Sequence, residues 1–473
     1  MKLRLMYAML FAFAMVFSIA ACAGPEAPVA PGAPPTGEAE AAQTPVTPED
    51  VASVEAWGEH IRSIFGGQEI NLLVGAHPSI EAMRGFYQEF VDLTGISVNF
   101  RIITDGTVRS QALVEATGRT GNFDVFAIDA SSVIEFHGRG LLRDLEPFLN
   151  DPVLTPEWYD YDDIVPAFAQ GIGTSQDTIV GIPIAGESRF VGFRTDLFEE
   201  HGKEPPRTMD EFLELARFFN GLEPDFFGVS MRAASGRQAG SGFNSIAFAF
   251  TDSPFVCNFT GVPMFDHPDT VEAIQFFVDL LENAPPDVTT FSHEEALAAF
   301  MQGRTAMWLD ATALTGRIMD PAHSVIYDKV DFVPTPNGPR GRNGALAGWN
   351  FVIPNDAVNP ELSWAWIMYM TSRETSLQYH QHGGVPSRTS IFTNPDLVAE
   401  NWTLTRQLEA LDQSLGLMED RGLKFNPDFP WTADLSGIGG TFISMAMIGE
   451  MTVEEAARQG QLEMLEFKED FVH

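Results

Sequence analysis

The chain has 473 residues, 45% of them hydrophobic, and a formal net charge of −37. So large an acidic excess, with no dense run of arginine, disfavours a nucleic-acid partner, because a phosphate backbone demands a basic footprint. Its 2 cysteines exclude a disulfide-stapled scaffold, and a chain this long buries enough apolar surface to fold without one. The acid is spread along the whole sequence and reads as solvation chemistry tolerant of salt.

The first element is a leader. Lys2 and Arg4 precede an uncharged apolar run from Leu5 to Ala21 that stops at Cys22, the layout of a secretory signal over residues 1–21. Its end, Ile19 to Cys22, resembles the bacterial lipobox, which implies cleavage before Cys22 and acylation of its thiol. Residues 22–48, dominated by Ala, Pro, Gly, Glu and Thr, read as a flexible tether that keeps a globular body close to a membrane. Cys257 is expected to be a small buried residue.

Residues 49–68 hold an extra helix, with Val51, Val54, Trp57, Ile61 and Ile64 at helical spacing and Gly66-Gly67 as its stop. A strand from Ile70 to Gly75 follows, then a loop to Ser79 and a helical pattern through Met83, Phe86, Phe90 and Leu93. Next come a strand at Ile96–Ile103, a helix at Val108–Thr117 and a strand at Phe123–Asp129. This alternation argues for an α/β layer with a largely parallel sheet, in which ligands gather at the carboxyl ends of the strands. His77, Ser79, Asp105 and Asp129 then stand near any site, with Arg109 a further candidate.

Gly181–Ser188, followed by Val191–Phe198, resembles the hinge of family 1 extracellular solute-binding proteins, the maltose-binding-like group. Ala299–Asp310, Gly348–Asn355 and Gly383–Arg388 match the same family in order, so the resemblance runs from about Ile70 to the C-terminus. Within the family the chain is most similar to binding proteins for sugar alcohols such as sorbitol and mannitol, on Gly186–Ser188, Val229–Ala233, Met307–Thr312 and Asp328–Phe332. It departs from them in a loop at Ser235–Phe243. The resemblance implies a two-lobed α/β periplasmic-binding fold of type II with a ligand cleft at the hinge. Residues 69–181 and 348–394 would form the first lobe, and 182–347 with 395–473 the second. It further implies a monomer that hands a sugar alcohol or small saccharide to the permease subunits of an ABC importer, with no cofactor, no metal and no catalysis.

A polyol offers hydroxyls that donate and accept, on a chain whose C–H face is apolar, so its receptor needs charged or amide partners and aromatic platforms. Glu187 in the crossover strand is a candidate acceptor. Arg232, just after a strand at Phe227–Met231, is either a bidentate donor to hydroxyls or half of an interlobe salt bridge. Trp308 and Asp310 fall on one face of a strand, unless Asp310 caps a helix at Ala311–Met319. Trp349 and Asn350 follow Gly348 at the second crossover, and Trp431 precedes a turn at Ser436–Gly440. An enzyme built on the same residues, a glycosidase, would use Glu187 with Asp310 as its two carboxylates. The fold is also compatible with an oligosaccharide, a peptide or a ferric complex as ligand, although Tyr159 and Tyr161 are the only close tyrosine pair. His380 and His382 are too few for a metal site, and Gly240–Gly242 lacks the ending of a phosphate-binding loop.

Overall fold

The computed structural model describes residues 46–472; the leader, Cys22 and most of the tether lie outside the described residues. Helix α1 (Val54–Phe65) turns Trp57, Ile61 and Phe65 inward, and the Ser53 hydroxyl caps it by accepting from the Ala56 N–H at 3.2 Å. Trp57 stacks on Tyr369 (centroids 6.1 Å apart, planes 7°) and meets Trp158 edge-on at 5.8 Å. The added helix is thus part of the core.

After α1 the chain runs β1 (Glu69–Gly75), α2 (Pro78–Arg84), α3 (Gln88–Thr94), β2 (Ser97–Ile103), α4 (Asp105–Gly118), β3 (Val125–Asp129) and α5 (Ala130–Gly138). The single helix expected through Met83 and Leu93 is two. They part at Gly85, where the His382 ring lies 2.2 Å from the place a Cβ would occupy, so a side chain there would meet the ring. A small hairpin, β4 (Thr174–Ser175) and β5 (Thr178–Ile179), precedes β6 (Ile182–Glu187) and β7 (Arg189–Arg194). The remaining strands are β8 (Phe227–Ser230), β9 (Thr305–Ala311), β10 (Val330–Pro334) and β11 (Ala347–Val352).

Two sheets result. The first has the order β2-β1-β3-β11-β6, with β1 parallel to β2 and β3 and with β11 antiparallel to both its neighbours. The second has the order β10-β7-β9-β8, with β7 antiparallel to β10 and β9 and β8 parallel to β9. Helices cover both faces of β9, so all seven of its residues are buried and its sequence shows no alternation. Each sheet has its own apolar core. The fold is the two-lobed α/β architecture.

One residue, Ser188, separates β6 of the first sheet from β7 of the second. Its N–H donates to Thr312 Oγ1 at 3.1 Å, and its hydroxyl lies 2.8 Å from the Ser414 hydroxyl. Ser414 in turn donates to the Ala345 carbonyl at 3.0 Å and accepts from the Ala345 N–H at 3.2 Å. Ser414 belongs to the Thr403–Arg421 helix, whose Leu404 and Leu411 join the first core while Ala410 joins the second. Two strand crossings and one helix therefore meet at a buried pair of serines.

Two local expectations are corrected. Ser235–Phe243 is not a loop: a helix spans Arg237–Ala247. Ser436–Gly440 is not a turn but lies inside the Thr432–Met447 helix. The glycines are there for close packing rather than chain reversal. A Cβ on Gly440 would sit 2.0 Å from the Gly236 carbonyl oxygen, and one on Gly240 would sit 2.3 Å from that of Ser436. At Ala311–Met319, where Asp310 would cap a helix in the alternative reading, there are two short turns, Thr312–Leu314 and Thr315–Ile318.

Candidate functional site

At the hinge the candidates form a chain of alternating charge. Arg232 lies against both oxygens of Asp310, its Nε donating to Oδ2 at 2.8 Å. Arg189 Nη1 reaches Asp310 Oδ1 and Glu187 Oε1, each at 3.1 Å. Asp310 is 1% exposed, Arg189 6%, Arg232 13% and Glu187 23%, so the chain is closed at its middle and opens most at Glu187. Burial alone would raise the Asp310 carboxyl, but Arg232 and Arg189 outweigh it and hold the carboxyl below its ordinary range. A buried carboxylate so held is neither a general acid nor an accessible nucleophile, which removes the geometric basis for pairing Glu187 with Asp310 in glycoside hydrolysis. Asp310 does not cap a helix; it neutralises two arginines. Arg189 is not among the candidates named from the sequence, though a charge opening the apolar strand Arg189–Phe193 marks a residue that must be paired.

Trp308 is fully buried, stacked on Phe300 (6.1 Å, 12°) and edge-on to Phe190 (6.2 Å, 68°). It belongs to the second core, which corrects the expectation that it faces a ligand beside Asp310. Asn350 is likewise buried to 0% exposure, between strands whose opposing residues are Ile128 and Pro183, and neither end of its amide finds a partner among the described residues.

The carboxyl edge of the first sheet does gather its candidates. His77 ends the β1 loop, Asp129 ends β3, and Trp349, opposite Asp129 in the β11–β3 register, holds its ring 5.1 Å from that of His77. His77 caps α2, its Nδ1 accepting from the Ser79 N–H at 3.2 Å, and burial pushes its pKa down to about 4. Asp129 caps α5, accepting from the Ser131 N–H at 3.0 Å and the Ser132 N–H at 3.2 Å. Ser79 is buried. Arg109 is committed elsewhere: its Nε donates to the buried Glu135 at 2.9 Å and ties α4 to α5. Asp105 opens α4, and its side chain lies outside the described residues.

Between the start of α5 and the second lobe lies a cavity of about 130 Å³. That is on the order of ten times the room one water needs. The first lobe contributes Ser131. The second contributes Arg237, Ser241 and Asn244 from one face of the Arg237–Ala247 helix, and Thr432 and Ser436 from one face of the Thr432–Met447 helix. Phe425, Asn426 and Pro427 line it from the segment that joins the Thr403–Arg421 helix to the Thr432–Met447 helix. Asn244 Oδ1 is closed off from solvent and has no hydrogen-bond partner among the described residues, and Phe248 and Phe255 supply apolar wall. None of these residues stands out in the sequence. The signal is nonetheless present: residues 237, 241 and 244 fall on one helical face, legible once the stretch is read as a helix. Trp431 stands next to this wall but is covered. Its indole N–H donates to the Gly261 carbonyl at 3.0 Å, its ring stacks on Phe429 at 5.6 Å, and Lys468 lies over it at 5.0 Å.

A two-lobed α/β body with a polar cavity between its lobes is the form of a soluble-ligand receptor. The family model of the bacterial extracellular solute-binding proteins matches residues 77–376, and the chain belongs to that family. The erythritol/L-threitol-binding protein of Mycolicibacterium smegmatis is 25% identical over 348 residues, covering 69% of this chain and 72% of that one. A solute-binding protein of an ABC transporter from Agrobacterium radiobacter K84, solved with ribitol, superposes with a TM-score of 0.74 at 21% identity, covering 85% of this chain and 99% of its own. One from Agrobacterium vitis S4, solved with D-mannitol, gives 0.72 at 23% identity over the same shares. Among the described residues no helix is long and apolar enough to cross a membrane.

Proposed function

We propose that this chain is the exported, membrane-tethered receptor of an ABC importer, and that it captures a sugar alcohol or small saccharide between its lobes. It would hand the ligand unchanged to the permease subunits. The observation that carries this reading is the cavity itself, where Ser131 of the first lobe meets Ser241, Asn244, Thr432 and Ser436 of the second, side chains that can both donate to and accept from the hydroxyls of a polyol. Phe248 and Phe255 offer the apolar surface that a C–H face needs. Trp349 and His77 would flank the same cleft from the first lobe, with Glu187 at its hinge. The ligands of the relatives named above, erythritol, threitol, ribitol and mannitol, are all small linear polyols, which fits a cavity of this size. Anchoring through lipid on Cys22 follows from the leader and would keep the receptor beside its transporter.

The test is a thermal-shift screen against alditols, hexoses and disaccharides. A ligand at a hundredfold excess over its Kd adds about 2.7 kcal/mol to stability, a readable rise in Tm. A four- to six-carbon alditol is expected to raise Tm, and Asn244→Leu, which replaces a lining amide with a larger apolar side chain, to abolish the rise. If no small polyol or saccharide shifts Tm, the reading is lost.

A further inference from the structure

Apart from the hinge, the two lobes are fastened to each other at a second place, beside the cavity. The first lobe contributes the β4–β5 hairpin, whose Ile179 packs on the first core, and the end of α5. The second contributes residues 424–430, which run into Trp431 on the second core, and Phe471 of the last helix. Lys424 Nζ donates to Asp428 Oδ2 at 2.7 Å within its own segment, and to the Thr174 carbonyl of the hairpin at 3.4 Å. The Gln176 N–H donates back to Asp428 Oδ2 at 3.4 Å. Gln176 and Asp177 make the turn of the hairpin with φ of 49° and 61°, a left-handed backbone that glycine adopts more readily than either. Beside the hairpin, a Cβ on Gly138 would lie 2.7 Å from the Pro430 ring, and the Arg139 guanidinium covers the Phe471 ring at 4.9 Å. The fastening also carries a cost: Asp428 Oδ1 is closed off from solvent with no hydrogen-bond partner among the described residues, and water would satisfy it once the lobes part. Attraction and cost oppose each other here, as they must in a contact that opens as well as closes.

From these contacts we infer that the β4–β5 hairpin and residues 424–430 form a clasp, which holds the lobes closed over the cavity and thereby helps to set the affinity for its ligand. The ligand part rests on the proposed function; the clasp itself does not. Phe425, Asn426 and Pro427 of the clasp line the cavity, so what loosens the segment loosens a cavity wall. A ligand gripped by both lobes binds the closed state, and its apparent Kd rises as the closed fraction falls.

Two unrelated substitutions test it. Lys424→Met removes the cation that bridges the hairpin and Asp428, and Gly138→Ala, at the end of a helix, adds a methyl against Pro430 without touching a charge. Each is made in the full chain with Cys22→Ser and Cys257→Ser, and with spin labels on Val114→Cys in α4 of the first lobe and Val325→Cys between β9 and β10 of the second, both exposed sites. Double electron–electron resonance of the ligand-free protein in detergent is expected to show the longer label-to-label distances gaining population in both variants. Isothermal titration with D-mannitol is expected to show Kd raised at least about threefold in both. Distances unchanged from wild type in either variant would overturn the inference, and so would lobes that part with no loss of affinity. If neither D-mannitol nor any other small polyol or saccharide binds the wild type, the proposed function falls, and the distances alone decide the clasp.

Discussion

His77 shows how one side chain carries both structure and a pH dependence. To cap α2 its Nδ1 must be unprotonated, and burial, which penalises the charged ring, has brought its pKa down to about 4. The unfolded chain binds a proton at this residue below roughly pH 6.5, while the folded chain refuses it until near pH 4. The contribution is therefore complete above pH 6.5 and is lost as pH falls from there to 4, to a maximum of about 3 kcal/mol. Carboxylates titrate in the same window, so the comparison must be made against His77→Gln. Urea unfolding at several pH values is expected to show a steeper loss for the wild type than for the variant; parallel curves would contradict it. Asp310 makes the complementary case for charge. Asp310→Asn leaves Arg189 and Arg232 buried without their shared anion and should cost about 3–5 kcal/mol in the same assay. The alternation of Trp308 with Asp310 suggests a ligand-facing ring, but on a strand covered on both faces alternation does not separate core from cleft.

At the scale of elements, β1, β2 and β3 are legible in the sequence to within two residues of their ends, whereas the helix read after β1 is two, parted at Gly85. The cavity wall is not legible. Glycine in the stretches 236–242 and 436–440 suggests a loop or turn when each stretch is read alone. Only their mutual packing, with carbonyl oxygens where Cβ atoms would go, explains why two helices tolerate so much of it. The pairing is a tertiary fact that no local pattern contains. Gly440→Ala consequently predicts more than a loss of local chain freedom. The added methyl meets the Gly236 carbonyl, the helices must separate, and Thr432 and Ser436 move away from Arg237 and Asn244. The expected cost is about 1–3 kcal/mol of stability, together with a ligand affinity weakened by more than the stability loss alone would cause. A variant as stable and as tight as wild type would show that the close approach is dispensable.

For the molecule as a whole, the two-lobed plan follows from four family segments in order, yet the hinge chemistry does not. Ser188 is visible beside Glu187, but nothing near it in sequence points to Ser414, more than two hundred residues away. The overall charge, by contrast, is plain in the composition and makes a prediction of its own. At a net charge of −37 the folded body repels itself, and salt at about 1 M shortens the Debye length to roughly 3 Å. The attractive ion pairs closest to the hinge, Asp310 with Arg189 and Arg232, are buried and are screened least. The surplus acid is spread over the surface, where screening acts most strongly. Added sodium chloride should thus relieve repulsion more than it weakens attraction, and Tm is expected to rise between about 0.05 and 1 M. Scanning calorimetry of the ligand-free protein checks this. Chloride suits the test better than sulfate, which strengthens apolar burial in any protein and would raise Tm regardless of charge. A Tm that stays level or falls would mean that the surface pairs, such as Arg406 with Asp331 and Arg373 with Asp160, contribute as much attraction as the excess acid contributes repulsion.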